Sequence, residues 1–113
     1  MITDGIRDIC MKLPHVTEGI KWGTDLCFMI GGKMFCVVAL IEPIKVSIKV
    51  TTEEFDELTI LSGIKPAPYV AKHKWILIEN TGIFNKNKWS FYIEQSYTLV
   101  KSKLPKKLLD QLT

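Results

Sequence analysis

Cys27, Met29, Met34 and Cys36 place four soft sulfur ligands on either side of the pair Gly31-Gly32. Two apolar runs around a Gly-Gly pair read as a β-hairpin, because glycine alone enters the positive-φ positions of a tight two-residue turn without steric cost. With that turn, Ile30 opposes Lys33, Met29 opposes Met34, Phe28 opposes Phe35 and Cys27 opposes Cys36, so the four sulfur side chains share one face. Such a face would suit Cu(I), and directly opposed cysteines are placed to form a cross-strand disulfide. Core packing is the commoner use of Cys and Met, and a one-residue slip of register dissolves the cluster. No metal and no cofactor are assigned.

His15 and His73 are the only histidines, and neither has the spacing of a metal site or a catalytic triad. His73 stands in Lys72-His73-Lys74, directly before Trp75. A basic tripeptide beside an aromatic ring is suited to holding an anion at the surface, and a solvated turn is the plainer alternative. Glu18, Asp25 and Glu42 fall near strand ends, with no spacing that pairs them for acid–base work. Gly31-Gly32 lacks the following Lys-Ser/Thr and helix of a phosphate-binding loop. Among the aromatic residues, a helical stripe claims Trp89, Tyr92 and Tyr97 for the core, which leaves Trp22, Tyr69 and Trp75 open to contact a ligand.

The elements that must position these residues follow from periodicity. Ile6, Ile9, Cys10 and Leu13 form an apolar helical stripe after Thr3-Asp4, a pair suited to N-capping, and Pro14 stops it. Strands are expected from about Glu18 to Val50: a short piece to Trp22, the two hairpin arms, and Ile44 to Val50. In the last of these Ile44, Val46, Ile48 and Val50 face the core, so Lys45, Ser47 and Lys49 face the other way. Thr51-Thr52-Glu53-Glu54 offers a capping box for a helix carrying Phe55, Leu58 and Leu61 and ended by Gly63. A Pro-rich connector, Lys65 to Tyr69, leads to a strand from Trp75 to Glu79. Trp89, Tyr92, Ile93, Ser96, Tyr97, Val100 and Leu104 keep a helical period up to Pro105, and Lys106 to Leu112 adds a terminal helix. Strands joined by short turns imply an antiparallel sheet with helices on one face, an α+β fold in two layers.

Composition sets the outer limits. The 113 residues, 47% hydrophobic and 24% charged, suffice for a single domain over 1–113 with one core. No apolar run is long enough to span a bilayer and the first residues lack a signal-peptide pattern, so a cytoplasmic protein with no membrane association is expected. Three cysteines without C-x-x-C spacing fit a reducing compartment. Net charge is +3, unevenly spread: six basic and nine acidic residues up to Gly63, nine basic and three acidic from Ile64 onward. A basic half marks an anion-binding face or, equally, a well-solvated surface.

Several blocks resemble the MmcQ/YjbR-like proteins, nearly end to end: Leu13-Pro14 with Val16-Thr17-Glu18, Lys21-Trp22-Gly23 with Asp25-Leu26-Cys27-Phe28, Gly31-Gly32-Lys33-Met34-Phe35, Pro66-Ala67-Pro68-Tyr69 with Ala71 and Trp75, and Leu104-Pro105-Lys106-Lys107. The resemblance implies a YjbR-like, secretion-chaperone-like two-layer domain, DNA binding through a double-wing arrangement, and no cofactor or catalytic residue. Some members carry Asn-Lys-x-His-Trp where this chain has Ala71-Lys72-His73-Lys74-Trp75, so only Lys72 and Trp75 carry over.

The expected function is therefore a non-enzymatic DNA-binding protein. One arginine against fourteen lysines equips the chain for phosphate contact rather than base reading. Weak, salt-sensitive, largely sequence-independent binding is expected through Lys33, Lys45, Lys49, Lys72, His73, Lys74 and Trp75, with charge reversal at Lys72 and Lys74 lowering affinity. The alternative is a protein-interaction or chaperone-like module, monomeric or homodimeric, that holds a partner on an exposed sheet face.

Overall fold

In a computed structural model, which describes residues 2–68 and 70–112, the chain forms helix α1 (Ile2–Met11), strands β1 (Val16–Lys21), β2 (Asp25–Ile30), β3 (Lys33–Ala39) and β4 (Lys45–Lys49), helix α2 (Thr52–Leu58), strands β5 (Ile64–Pro66) and β6 (Trp75–Ile78), and helices α3 (Lys86–Lys101) and α4 (Lys106–Leu112). The strands make one six-stranded sheet in the order β1-β2-β3-β4-β6-β5, with every pairing antiparallel. The α+β architecture expected from the sequence is the one observed. No helix among the described residues is long and apolar enough to cross a membrane.

Alternation decides which face is buried. Phe28, Ile30, Val38, Val46, Ile48, Ile76 and Ile78 point to one side and are fully buried. Helices α1 and α3 cover that side, and Ile6, Cys10, Trp89, Ile93 and Tyr97 join the same core. The intervening residues, among them Met29, Met34, Val37, Ser47, Trp75 and Leu77, are half-buried on the opposite face.

Local chemistry explains most boundaries. Thr51 caps α2 in a complete capping box with Glu54, and Asn85 caps α3 by accepting from Lys88 N–H at 2.9 Å. Helix α2 ends at Leu58, so Leu61, 43% exposed, falls outside it rather than on its apolar stripe. Three further expectations need correction. Helix α1 starts at Ile2, so Thr3-Asp4 lies inside its first turn, where Asp4 favours the positive end of the helix dipole. The connector from Lys65 conceals β5, a short edge strand ending at Pro66, a residue tolerated at a sheet edge, and Ala67 N–H still donates to the Trp75 carbonyl oxygen at 3.0 Å.

The third correction concerns the sulfur face. Gly31 and Gly32 do form the hairpin turn, with φ of 58° and 80°, and Ile30 opposes Lys33 and Met29 opposes Met34 as expected. A β-bulge then intervenes: Phe28 pairs with Cys36 rather than Phe35, and Cys27 pairs with Val37. The extra residue turns both Phe35 and Cys36 into the core and moves Cys36 to the face opposite Cys27. No disulfide joins them, and no group of His, Cys, Asp or Glu that could hold a metal occurs among the described residues. A hydrogen bond with Cys10, followed by burial, pushes the Cys36 thiol well above its usual range, as an inert core group.

The bulge leaves a second mark. Strands β3 and β4 pair from Ala39↔Lys45 to Cys36↔Ile48 and no further. At the next step the Ser96 hydroxyl enters from α3, accepting from Lys49 N–H at 3.0 Å and donating to the Phe35 carbonyl oxygen at 2.5 Å. Ser96 is fully buried. Ser96→Ala removes both bonds and leaves a buried amide and carbonyl without partners, so it should cost about 1–3 kcal/mol of stability. Urea unfolding with an unchanged m-value measures the loss, and a variant as stable as the parent would refute this account of the strand junction.

Candidate anion-binding site

At one end of the sheet the starts of β3 and β6, the end of β4, the turn Ala71–His73 and the chain just past α3 border an open cavity of about 590 Å3. Lys33 and Met34 border it from the hairpin, Lys49 and Trp75 from neighbouring strands, Val70 and His73 from the turn, and Val100 and Lys103 from α3 and the residues after it. A shallower hollow shares Lys49, His73 and Lys103 and extends past Lys72 and Lys74 toward the cap of α2.

Each side chain is held by a local device. Lys49 ends β4 where Ser96 captures its amide, and its ammonium donates to the His73 carbonyl oxygen at 2.5 Å. Trp75 opposes Lys49 in register, so indole and lysine stem share the half-exposed face. The turn bearing His73 closes through Lys74, whose left-handed backbone (φ 66°) lets its carbonyl accept from Val50 N–H at 2.9 Å. The hairpin tip that carries Lys33 rests on the C-terminal segment: a Cβ on Gly31 would lie 2.8 Å from Leu104 Cδ1 and 3.0 Å from Leu108 Cδ2.

Five of the seven expected contact residues border the cavity or the adjoining hollow: Lys33, Lys49, Lys72, His73 and Trp75, with one donor of the Lys49 ammonium held by the His73 carbonyl. Lys74 borders the hollow, but its ammonium lies over the Phe55 ring, 5.0 Å from the centroid. Lys45 stands at the far end of β4, its ammonium 3.6 Å from the Glu79 carboxylate that also pairs with Lys65 at 3.2 Å. Trp22 is 71% exposed in the β1–β2 turn, away from the cavity. Tyr69 lies outside the described residues.

Lys103 carries no signal in the sequence. It follows the last turn of α3, so no periodicity marks it, and only the packing of α3 across the sheet brings it to Lys49. The electrostatics register that approach. Burial, and then repulsion from Lys103, hold the Lys49 ammonium below its usual pKa. No carboxylate lines the cavity among the described residues. The arrangement gathers positive charge around a partly apolar hollow, a chemistry suited to binding an anion.

Against known proteins, the sequence matches the YjbR family over residues 11–99. The chain belongs to the YjbR family. A crystal structure of Deinococcus radiodurans protein DR2400, with domain DUF419, is similar at 25% identity and a TM-score of 0.86, over 97% of this chain and 86% of that one. A Pseudomonas syringae protein of known structure shares the fold at 19% identity and a TM-score of 0.72, over 88% of this chain and 98% of that one. A search of the curated proteins finds no match. Within the YjbR match fall Lys33, Lys49 and the segment Lys72 to Trp75, while Lys103, Leu104 and α4 lie beyond it.

If Lys103 depresses Lys49, then Lys103→Met should raise the Lys49 pKa toward the ordinary lysine value. An NMR titration of the lysine ε-carbons reads the shift. An unchanged or lower value would show that the two ammoniums do not interact.

Proposed function

We propose that this YjbR protein is a non-enzymatic DNA-binding module that holds the phosphate backbone through lysine contacts. The observation that carries the reading is the gathering of Lys33, Lys49, Lys72 and Lys103 with His73 around one end of the sheet, where Lys49 is pressed by Lys103. A phosphate placed there offsets that repulsion and releases counterions to solvent. The cavity offers cations, one imidazole and apolar carbon, and the one carboxylate residue nearby, Glu53, borders only the adjoining hollow beside Lys72 and Lys74.

The distribution of arginine supports backbone contact over base reading. The chain's one arginine, Arg7, is engaged elsewhere, donating to both carboxylate oxygens of Glu18 at 2.9 and 2.6 Å and tying α1 to β1. The site is therefore all lysine, which meets a phosphate as a point charge and lacks the planar fork that recognises a guanine edge. Weak, salt-dependent and sequence-tolerant binding follows.

A second reading has one observation in its favour. The sheet face away from α1 and α3 carries Met29, Met34, Val37 and Leu77 half-exposed, a surface on which a protein partner or a second copy of the chain could lie. Charge argues for the first reading, since the lysines gather at the end of the sheet.

Fluorescence anisotropy of labelled DNA across a salt series tests the proposal. The log–log plot of affinity against salt should have a slope of several phosphates, reduced by roughly one for each of Lys72→Glu and Lys103→Glu. Lys45→Glu, at the Glu79 pair, should leave the slope unchanged. Absence of binding at low salt overturns the DNA reading and directs attention to the open face.

A further inference from the structure

The cavity holds more than phosphate-binding lysines. Met34, Val70 and Trp75 line it with apolar and aromatic surface, while Lys33, Lys49 and Lys103 supply the charge. A bare phosphate needs only the second set. Its volume of about 590 Å3 lies within the range of sites that enclose a small organic ligand, roughly 300–1,000 Å3. The lining thus fits a molecule with two unlike parts, a flat apolar body and an anionic group.

We infer that the cavity receives one unpaired nucleotide of a single-stranded nucleic acid, its base against Trp75 and its phosphate between Lys49 and Lys103. The inference rests on the nucleic-acid reading above and specifies the form of strand bound. Trp75 and Lys49 are directly opposed on adjacent antiparallel strands, so a ring and an ammonium share one face at cross-strand spacing. Lys103, just past α3, lines the same cavity as Lys49. A duplex presents its phosphates but keeps its bases stacked inside, and bringing one into the cavity requires extruding it. A single strand carries its bases free, and stacking on an indole is tolerant of base identity. That tolerance agrees with a site that has no arginine to read a base edge.

Three probes of equal length test the inference by anisotropy at low salt: a labelled oligothymidylate of about a dozen nucleotides, an abasic strand with the same phosphates, and the thymidylate annealed to its complement. The thymidylate strand should bind about tenfold more tightly than the abasic strand and the duplex, a preference set by stacking of one base. Trp75→Ala should bring the thymidylate strand to the abasic level and leave abasic binding unchanged. Equal affinity for all three probes, in the unaltered protein, overturns the inference while leaving lysine–phosphate binding in place. Failure of every probe to bind overturns both readings. The comparison of strands on the unaltered protein decides the matter even where Trp75→Ala does not fold.

Discussion

One buried hydroxyl holds the sheet and its main helix together. The bulge at Phe35 breaks the pairing of β3 with β4, so the carbonyl of Phe35 and the amide of Lys49 would face the core without partners, each at the full cost of desolvation. Ser96 supplies both partners at once. It does so from the middle of α3, between Ile93 and Val100 on the buried stripe, so the bond also fixes where that helix lies along the sheet. Tyr97, the next residue, meets the Phe35 ring edge-on at a centroid distance of 5.4 Å and donates to the Pro14 carbonyl oxygen at 2.7 Å. The bulge, α3 and the link from α1 to β1 are thereby one connected unit.

The basic cavity is a consequence of that unit. Where Ser96 ends the β3–β4 ladder, Lys49 becomes the last residue of its strand and turns its ammonium toward the turn at His73. Setting α3 across the sheet carries its C-terminus past the strand ends and brings Lys103 beside Lys49. Leu104, buried immediately after Lys103, packs against the hairpin tip at Gly31, where positive φ and close approach together require glycine. The same apolar contact thus positions Lys33 on the hairpin and Lys103 after the helix. Two lysines from distant parts of the sequence border one cavity because the tip and the C-terminal segment share a leucine.

Much of the fold was legible from pattern alone. Strict alternation placed Val46 and Ile48 in the core, the Thr51 capping box marked the start of α2, and Gly31-Gly32 fixed the turn. The bulge was not legible, because Phe35 and Cys36 are both apolar and either satisfies an inward position. The false sulfur face followed from that ambiguity, since one added residue reverses every later side chain on the strand. At the site, Lys49 and Trp75 were each readable as strand residues, but only the sheet order makes them neighbours. Lys45 was rightly given the same face as Lys49 but stands four residues away, about 13 Å along an extended chain, which puts it at the other end of the sheet. Lys103 depends on tertiary packing alone and had no local signal.

The treatment of charge across the molecule separates the site from the rest of the surface. At the far end of β4, Lys45 and Lys65 share the carboxylate of Glu79; on the helical side, Arg7 and Glu18 meet through two hydrogen bonds. These pairs are exposed, and each contributes little beyond neutrality. Around the cavity the arrangement is reversed: Lys49 is half-buried, its ammonium is disfavoured by burial and by Lys103, and no carboxylate lines the space among the described residues. Packing alone gives no reason to bring two ammoniums together beside an indole, since like charges in a partly desolvated setting oppose folding. Local features that work against stability gather where a protein meets its ligand, and the absence of a carboxylate from the cavity lining is what the proposed anion binding rests on. On the proposed reading, an anion with a flat apolar part would answer both the gathered positive charge and the half-buried ring of Trp75.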